Sequence, residues 1–153
     1  MQTDAVGDIL GAKIPATAAE DSVSILPILV GKAAKPVREA IVHHSINGSF
    51  VIRQGNWKLA ICRDSGGWSD PRPGSANVGA LPEVQLYDLA TDIGEQANLQ
   101  DKHPEIVARL TRLLERYVVD GRITPGPNQT NTVPVDIWKT AKTKPKAAAK
   151  KGV

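Results

Sequence analysis

At 153 residues the chain has the size of one domain with a single core of modest volume. Hydrophobic residues make up 41% but aromatic ones only 4%, so Leu, Ile and Val must fill that core. The formal charge of +3 suggests a nucleic-acid binder until it is localised. Residues 139–153 hold six lysines and no acid, leaving 13 basic against 16 acidic side chains before them, a net of −3. Cys62 is alone, so no intramolecular disulfide framework exists. No run approaches the roughly 18–20 apolar residues of a membrane span. Met1-Gln2-Thr3-Asp4 shows no basic region followed by an apolar one, so no signal peptide is visible and the chain as written is expected in the cytoplasm.

In chain order, residues 2–10 read as the end of a helix with Val6, Ile9 and Leu10 on one face, closed by Gly11. Two turns of helix do not hold alone in water, so the chain is expected to begin inside a larger element. After a connector, Asp21-Ser22 offers an N-cap for a short apolar helix over residues 23–30. Pro27 stands in its first turn and Gly31 stops it.

Residues 40–61 read as three strands and two tight turns. Ile41-Val42-His43-His44 leads to Asn47-Gly48, the dipeptide suited to two positive φ angles. Phe50-Val51-Ile52-Arg53 leads through Gln54-Gly55 to a third strand, in which Trp57, Leu59 and Ile61 alternate with Lys58 and Ala60. Trp57 is therefore expected in the core. Residues 62–82 form a long Gly/Ser/Pro/Asp loop with Trp68 exposed, of a length that often carries a binding site. Residues 84–89 give a fourth strand by alternation, and residues 91–95 a turn.

The clearest element is the last helix, opened by Pro104 at its first position with Glu105 beside it. Ile106, Val107, Leu110, Leu113, Leu114, Tyr117 and Val118 form one apolar stripe, and Gly121 follows Asp120 as the stop. That stripe is the natural cover for the sheet. Residues 121–138 are extended and turn-rich. Beyond Trp138 the Ala/Lys/Pro/Thr composition predicts a disordered tail. No aromatic residue interleaves its lysines, so base stacking is unavailable and a solvated extension is expected rather than a nucleic-acid site.

Several segments, taken in order and spacing, resemble the C-terminal region of arylsulfatases, within the alkaline-phosphatase-like superfamily. They are Glu20-Asp21-Ser22 with residues 26–31, Phe50 to Leu59, Gln85 to Leu89 through Asn98-Leu99, His103-Pro104-Glu105, and Gly121 to Gly126. The resemblance implies an α+β fold: a four-stranded antiparallel sheet packed against one long C-terminal helix, with a short helical remnant of the catalytic domain at the N-terminus. Residues 1–35 are then that remnant, 36–138 the C-terminal subdomain and 139–153 the tail.

The resemblance implies sulfate-ester hydrolysis by the complete enzyme, with this part bracing the fold and walling the substrate cleft. In the family, a formylglycine made from Cys or Ser in Cys/Ser-x-Pro-x-Arg works beside a calcium ion, both in the larger N-terminal domain. Here Cys62 is followed by Arg63-Asp64-Ser65-Gly66, and Ser69-Asp70-Pro71-Arg72 ends in Pro73 where Arg is needed. No Asp-Asp or Asp-Asn pair offers the oxygens a hard divalent cation wants. No catalytic or metal-binding residue is therefore assigned, and the chain alone is expected to be catalytically silent. A sulfate-ester substrate is expected only in the complete enzyme, which would be exported.

His43, His44 and Trp68 are the candidate substrate-binding residues. Adjacent strand residues face opposite sides, so at most one histidine faces the cleft and the other packs or is solvated. Trp68 either stacks on a sugar ring or shields the sheet edge. His103 reads as a helix cap. Asn47-Gly48-Ser49 and Asn128-Gln129-Thr130 fit the glycosylation triplet, which needs an export signal to be used. The rival reading is a free-standing interaction module whose basic tail binds an acidic partner.

Overall fold

A computed structural model describes residues 5–15, 17–19 and 21–140. Two short helices come first, α1 (Ala5–Leu10) and α2 (Leu26–Leu29). Then come β1 (Ile41–His44), β2 (Phe50–Gln54), β3 (Trp57–Ala60), β4 (Gln85–Asp88) and α3 (Pro104–Asp120). The four strands form one antiparallel sheet in the order β1-β2-β3-β4, which extends the expected three-stranded meander by β4.

The register gives the sheet two unlike faces. Val42, Ile52, Leu59 and Leu86 stand in one cross-strand row and point the same way. Against that row α3 lays Leu110, Leu113, Leu114 and Tyr117, and these residues with Ala40, Ile61, Val84 and Ile137 make the core. Each fully buried Leu or Ile contributes about 1.5–3 kcal/mol. Ile137 belongs to the core although it follows an extended, proline-rich stretch. The opposite face carries His43, Val51, Ala60 and Gln85 in one row and Ile41, Arg53, Lys58 and Tyr87 in the next.

α3 begins and ends where its sequence dictates. Pro104 occupies the first turn, and Gly121 takes φ +63°, which an L-residue adopts only with strain. A Cβ at Gly121 would also lie 2.3 Å from the Gln129 carbonyl oxygen. His103 is the N-cap by position, but its side chain makes no capping bond. Its ring instead lies 5.0 Å from that of Trp57, which is half-buried at the rim of the core.

Three local readings are corrected. The second helix is confined to residues 26–29: Ser24 Oγ accepts from Leu26 N at 3.3 Å, and the Asp21 carboxylate caps a distant segment instead. The β1–β2 connection spans residues 45–49, with only Gly48 at positive φ (+78°). Asn47 stays out of that region because its Oδ1 accepts from Ser45 Oγ, Ser49 N and Ser49 Oγ, closing the loop through the side chain. The residue boundary of the tail also moves. Lys139 donates to Asn47 O and to Ser49 Oγ, and Thr140 Oγ1 donates to Asp136 Oδ2 at 2.9 Å, so both belong to the folded part. The rest of the expected tail, 141–153, lies outside the described residues, as do residues 1–4 of the first helix.

Candidate functional site

The β1–β2 loop and the long loop after β3 meet at one end of the sheet. Asn47 N donates to Gly66 O at 3.2 Å, and Gly67 packs against Ile46. The approach is close enough to require glycine: Gly66 has φ +66°, and a Cβ there would sit 2.6 Å from Ser45 Cβ. The Asp64 carboxylate holds the turn by accepting from Gly66 N at 2.8 Å, and Ser65 Oγ donates to Ser69 O at 2.6 Å. Gly66, two residues before Trp68, thus stands beside Ser45, the residue that follows His44. Trp68 is 80% exposed. An open indole remains available for stacking.

The two histidines point to opposite faces and both are exposed. His44 lies on the helix side, its ring edge-on to Phe50 at 4.2 Å. It borders a groove floored by Val42, Phe50, Leu114 and Val118 and rimmed by Arg38. His43 lies on the polar face. Its partial burial, and then the Lys58 ammonium, push its pKa below the ordinary imidazole value, with Glu95 opposing. A neutral imidazole donates one hydrogen bond through one ring nitrogen and accepts one at the other.

The polar face around His43 is organised by pairs that the sequence does not announce. Lys58 Nζ donates to both carboxylate oxygens of Glu95, at 2.5 and 2.7 Å. Tyr87 donates to Gln85 Oε1 at 2.7 Å, and Gln85 Nε2 donates to the carbonyls of Cys62 and Asp64 at 3.0 and 2.8 Å. Gln85 therefore ties the start of the long loop to β4.

Cys62 is poorly placed as a nucleophile. Burial, and then the Asp64 carboxylate, push its thiol pKa up, and Sγ donates to Asp64 O at 3.2 Å. The thiolate is the reactive form, so this setting disfavours attack. No hydrogen bond joins Cys62 or Ser69 to a histidine among the described residues; His103 alone of the three histidines is paired through its ring nitrogen, to Glu105. No group of three or more His, Cys, Asp or Glu could hold a metal ion among the described residues.

Sequence reasoning overlooked Arg122. Its guanidinium is buried and donates to the carbonyls of Thr124, Pro125 and Pro127 at 2.8, 3.2 and 2.8 Å, gathering the segment after α3 around itself. The Gly-Arg-Ile-Thr-Pro-Gly run carried that signal, since Gly126 leaves room for the guanidinium that any Cβ would fill.

No family model matches the chain. The chain is 34% identical over 110 residues to an N-acetylgalactosamine-6-O-sulfatase of Bacteroides thetaiotaomicron, a match covering 70% of this chain and 20% of the relative. A solved structure from work on the metabolism of multiple glycosaminoglycans by the same organism superposes with a TM-score of 0.56 at 33% identity. It covers 73% of this chain and 23% of its own. A 2-O GAG sulfatase shares the fold, at a TM-score of 0.51 and 24% identity over 74% of this chain and 23% of its own. These matches join a four-stranded antiparallel sheet under one long helix to a single class of hydrolase. The chain belongs to the sulfatases, matching part of their length: it spans about a fifth of the relatives named here. No helix among the described residues is long and apolar enough to cross a membrane.

Proposed function

We propose that the chain is the C-terminal part of a sulfatase, catalytically silent alone, which braces the fold and walls the substrate cleft of the complete enzyme. The observation that carries this reading is a sulfatase relationship limited to about a fifth of the relatives' length, in a chain without the Cys/Ser-x-Pro-x-Arg motif. Residues 36–138 are the subdomain itself, and residues 1–35 border the catalytic domain. The formylglycine and calcium of the complete enzyme belong to the part of the fold outside this match. The substrate is a sulfate ester, and His43, His44 and Trp68 contribute to the cleft wall. The exposed Trp68 indole and the neutral His43 ring support that role, since a sugar ester offers an apolar ring face and hydroxyl groups to such partners.

The test is hydrolysis of an aryl sulfate by the purified chain. The expected result is turnover no greater than buffer. Turnover that disappears in Cys62→Ala or Ser69→Ala defeats the reading. In the complete enzyme, Trp68→Ala is expected to raise KM for the sulfated substrate with kcat nearly unchanged, because a wall residue binds substrate and transition state alike.

A further inference from the structure

Asn47, in the loop between β1 and β2, is the one asparagine of the chain that a glycine follows. Asn56, Asn77, Asn98, Asn128 and Asn131 precede Trp, Val, Leu, Gln and Thr. Its side chain is crowded by donors at a single atom. Oδ1 accepts from Ser45 Oγ at 2.5 Å, Ser49 Oγ at 2.9 Å, Ser49 N at 3.2 Å and Lys139 Nζ at 3.3 Å. A backbone N–H and an ammonium can only donate, so they fix the amide with its oxygen toward this cluster. Nδ2 has no hydrogen-bond partner among the described residues, and Asn47 is exposed to water. Donors gathered on one carbonyl oxygen stabilise the negative charge that develops there when its carbon is attacked.

We infer that Asn47 is a self-modification site, where attack by the Gly48 backbone nitrogen converts the side-chain amide to a carboxylate. A bond forms between Gly48 N and Asn47 Cγ, closing a cyclic imide. The Cγ–Nδ2 bond breaks, and the Gly48 N–H proton leaves with Nδ2 as ammonia. Water then adds to one of the two imide carbonyls and opens the ring, giving aspartate or isoaspartate at position 47. Water is the only co-reactant, and nothing is oxidised or reduced. Gly48 suits the attack because no Cβ crowds its nitrogen; only the end of the Lys139 side chain comes within 4 Å of where one would stand. The Gly48 N–H donates to Ser45 O at 2.9 Å, a single turn bond that opens before the ring closes. The two products differ in consequence. An aspartate carboxylate lies beside the Lys139 ammonium and gains an ion pair. Isoaspartate lengthens the backbone by one atom and displaces the Asn47 N–H from Gly66 O, the bond that joins the two loops of the candidate site. That junction therefore changes with the age of the chain.

The test incubates the purified full chain at mildly alkaline pH and follows every asparagine by peptide mapping and mass spectrometry. Isoaspartate is read separately, by methyl transfer from an isoaspartyl methyltransferase. Position 47 is expected to convert before any other asparagine. Lys139→Ala removes an exposed donor from Oδ1 and should slow conversion about fivefold, the worth of one hydrogen bond to the developing charge. Its thermal midpoint, compared with the parent's, checks that the fold is kept. The parent unfolded in urea is the second reference, and it serves if the variant does not fold: native chain should convert faster at position 47 than unfolded chain. Three results overturn the inference. One is conversion elsewhere with position 47 intact. Another is a folded Lys139→Ala chain that converts as fast as the parent or faster. The last is slower conversion in the native than in the unfolded chain, which would show that the loop shields Asn47 and that its donors do not promote the attack.

Discussion

The carboxylate of Asp21 accepts a hydrogen bond of 3.0 Å from the Ile123 N–H, joining positions 102 residues apart. The bond sits just past the left-handed turn that ends α3, beside the buried Arg122. It ties the N-terminal segment to the residues that follow α3. Asp21→Ala should therefore loosen residues 21–30 more than it lowers global stability. A hydrogen bond to an exposed charged group is worth about 1 kcal/mol. Hydrogen exchange is the measurement: faster exchange for α2 amides with unchanged protection in β2 and β3. Equal acceleration throughout the sheet would show that the tether is part of the global core.

Leu110 is wholly buried between α3 and the sheet row of Ile52, Leu59 and Leu86. Leu110→Ala should cost about 2–5 kcal/mol, the range for a large-to-small change that leaves a cavity. Leu110→Asp adds an unpaired buried carboxylate and should leave no cooperative transition. Denaturant melting followed by helix signal checks both, and a loss under about 1 kcal/mol for the alanine variant would mean α3 is not the main cover of the sheet.

β4 is an edge strand whose outer side is bonded at Val84 and Leu86 by the Asn98 side chain and the Leu99 backbone. Asn98 Oδ1 accepts from Leu86 N at 2.9 Å while its Nδ2 donates to Val84 O at 3.1 Å, and Leu99 N donates to Leu86 O at 2.8 Å. A covered edge cannot recruit another strand. Asn98→Ala should cost about 1–3 kcal/mol through the unsatisfied backbone groups. It should also raise the tendency to aggregate. Asn98→Asp keeps the acceptor but loses the donor to Val84, so it should fall between the two. A melting curve for Asn98→Ala that overlays the parent's would sink this account.

Of those three residues, Leu110 alone was legible in the sequence. Leu110 was visible because a helical stripe needs only the period of α3, and the strands were visible because alternation needs only the period of the sheet. The order β1-β2-β3 followed, since short turns leave antiparallel neighbours little choice, whereas the long loop after β3 left the place of β4 to the fold. Asp21 was misread as a local cap because an Asp-Ser pair ahead of an apolar run is a genuine start signal, and its distant partner Ile123 donates through a backbone N–H that no side-chain pattern reveals. Asn98 and Arg122 were opaque for the same reason, since both act on backbone groups. Of the candidate site, the exposure of Trp68 and the divergence of His43 and His44 were readable. The meeting of their two loops depends on the Gly66 approach to Ser45, a contact that only the fold creates.

The two tyrosines supply a pH signature. Burial, then the hydrogen bond and charge of Glu39, push the Tyr117 phenol up to about 12, and burial, then Glu95, raises that of Tyr87. Tyr117 Oη donates to Glu39 Oε2 at 3.1 Å, an acceptor shared with Arg116 at 2.7 Å. A phenol whose folded pKa lies above its unfolded value of about 10 binds its proton more tightly in the native state. Its contribution to stability is therefore complete below pH of about 10 and disappears as the pH rises from there through about 12. Phenolate absorbance of the native protein should accordingly rise late, and denaturant midpoints should fall across that window. Tyr117→Phe should be less stable at neutral pH by roughly 0.5–1.5 kcal/mol, the net worth of one hydrogen bond, and the gap to the parent should close at the alkaline end. A gap that stays constant with pH would show that the loss comes from packing and not from the proton on Tyr117.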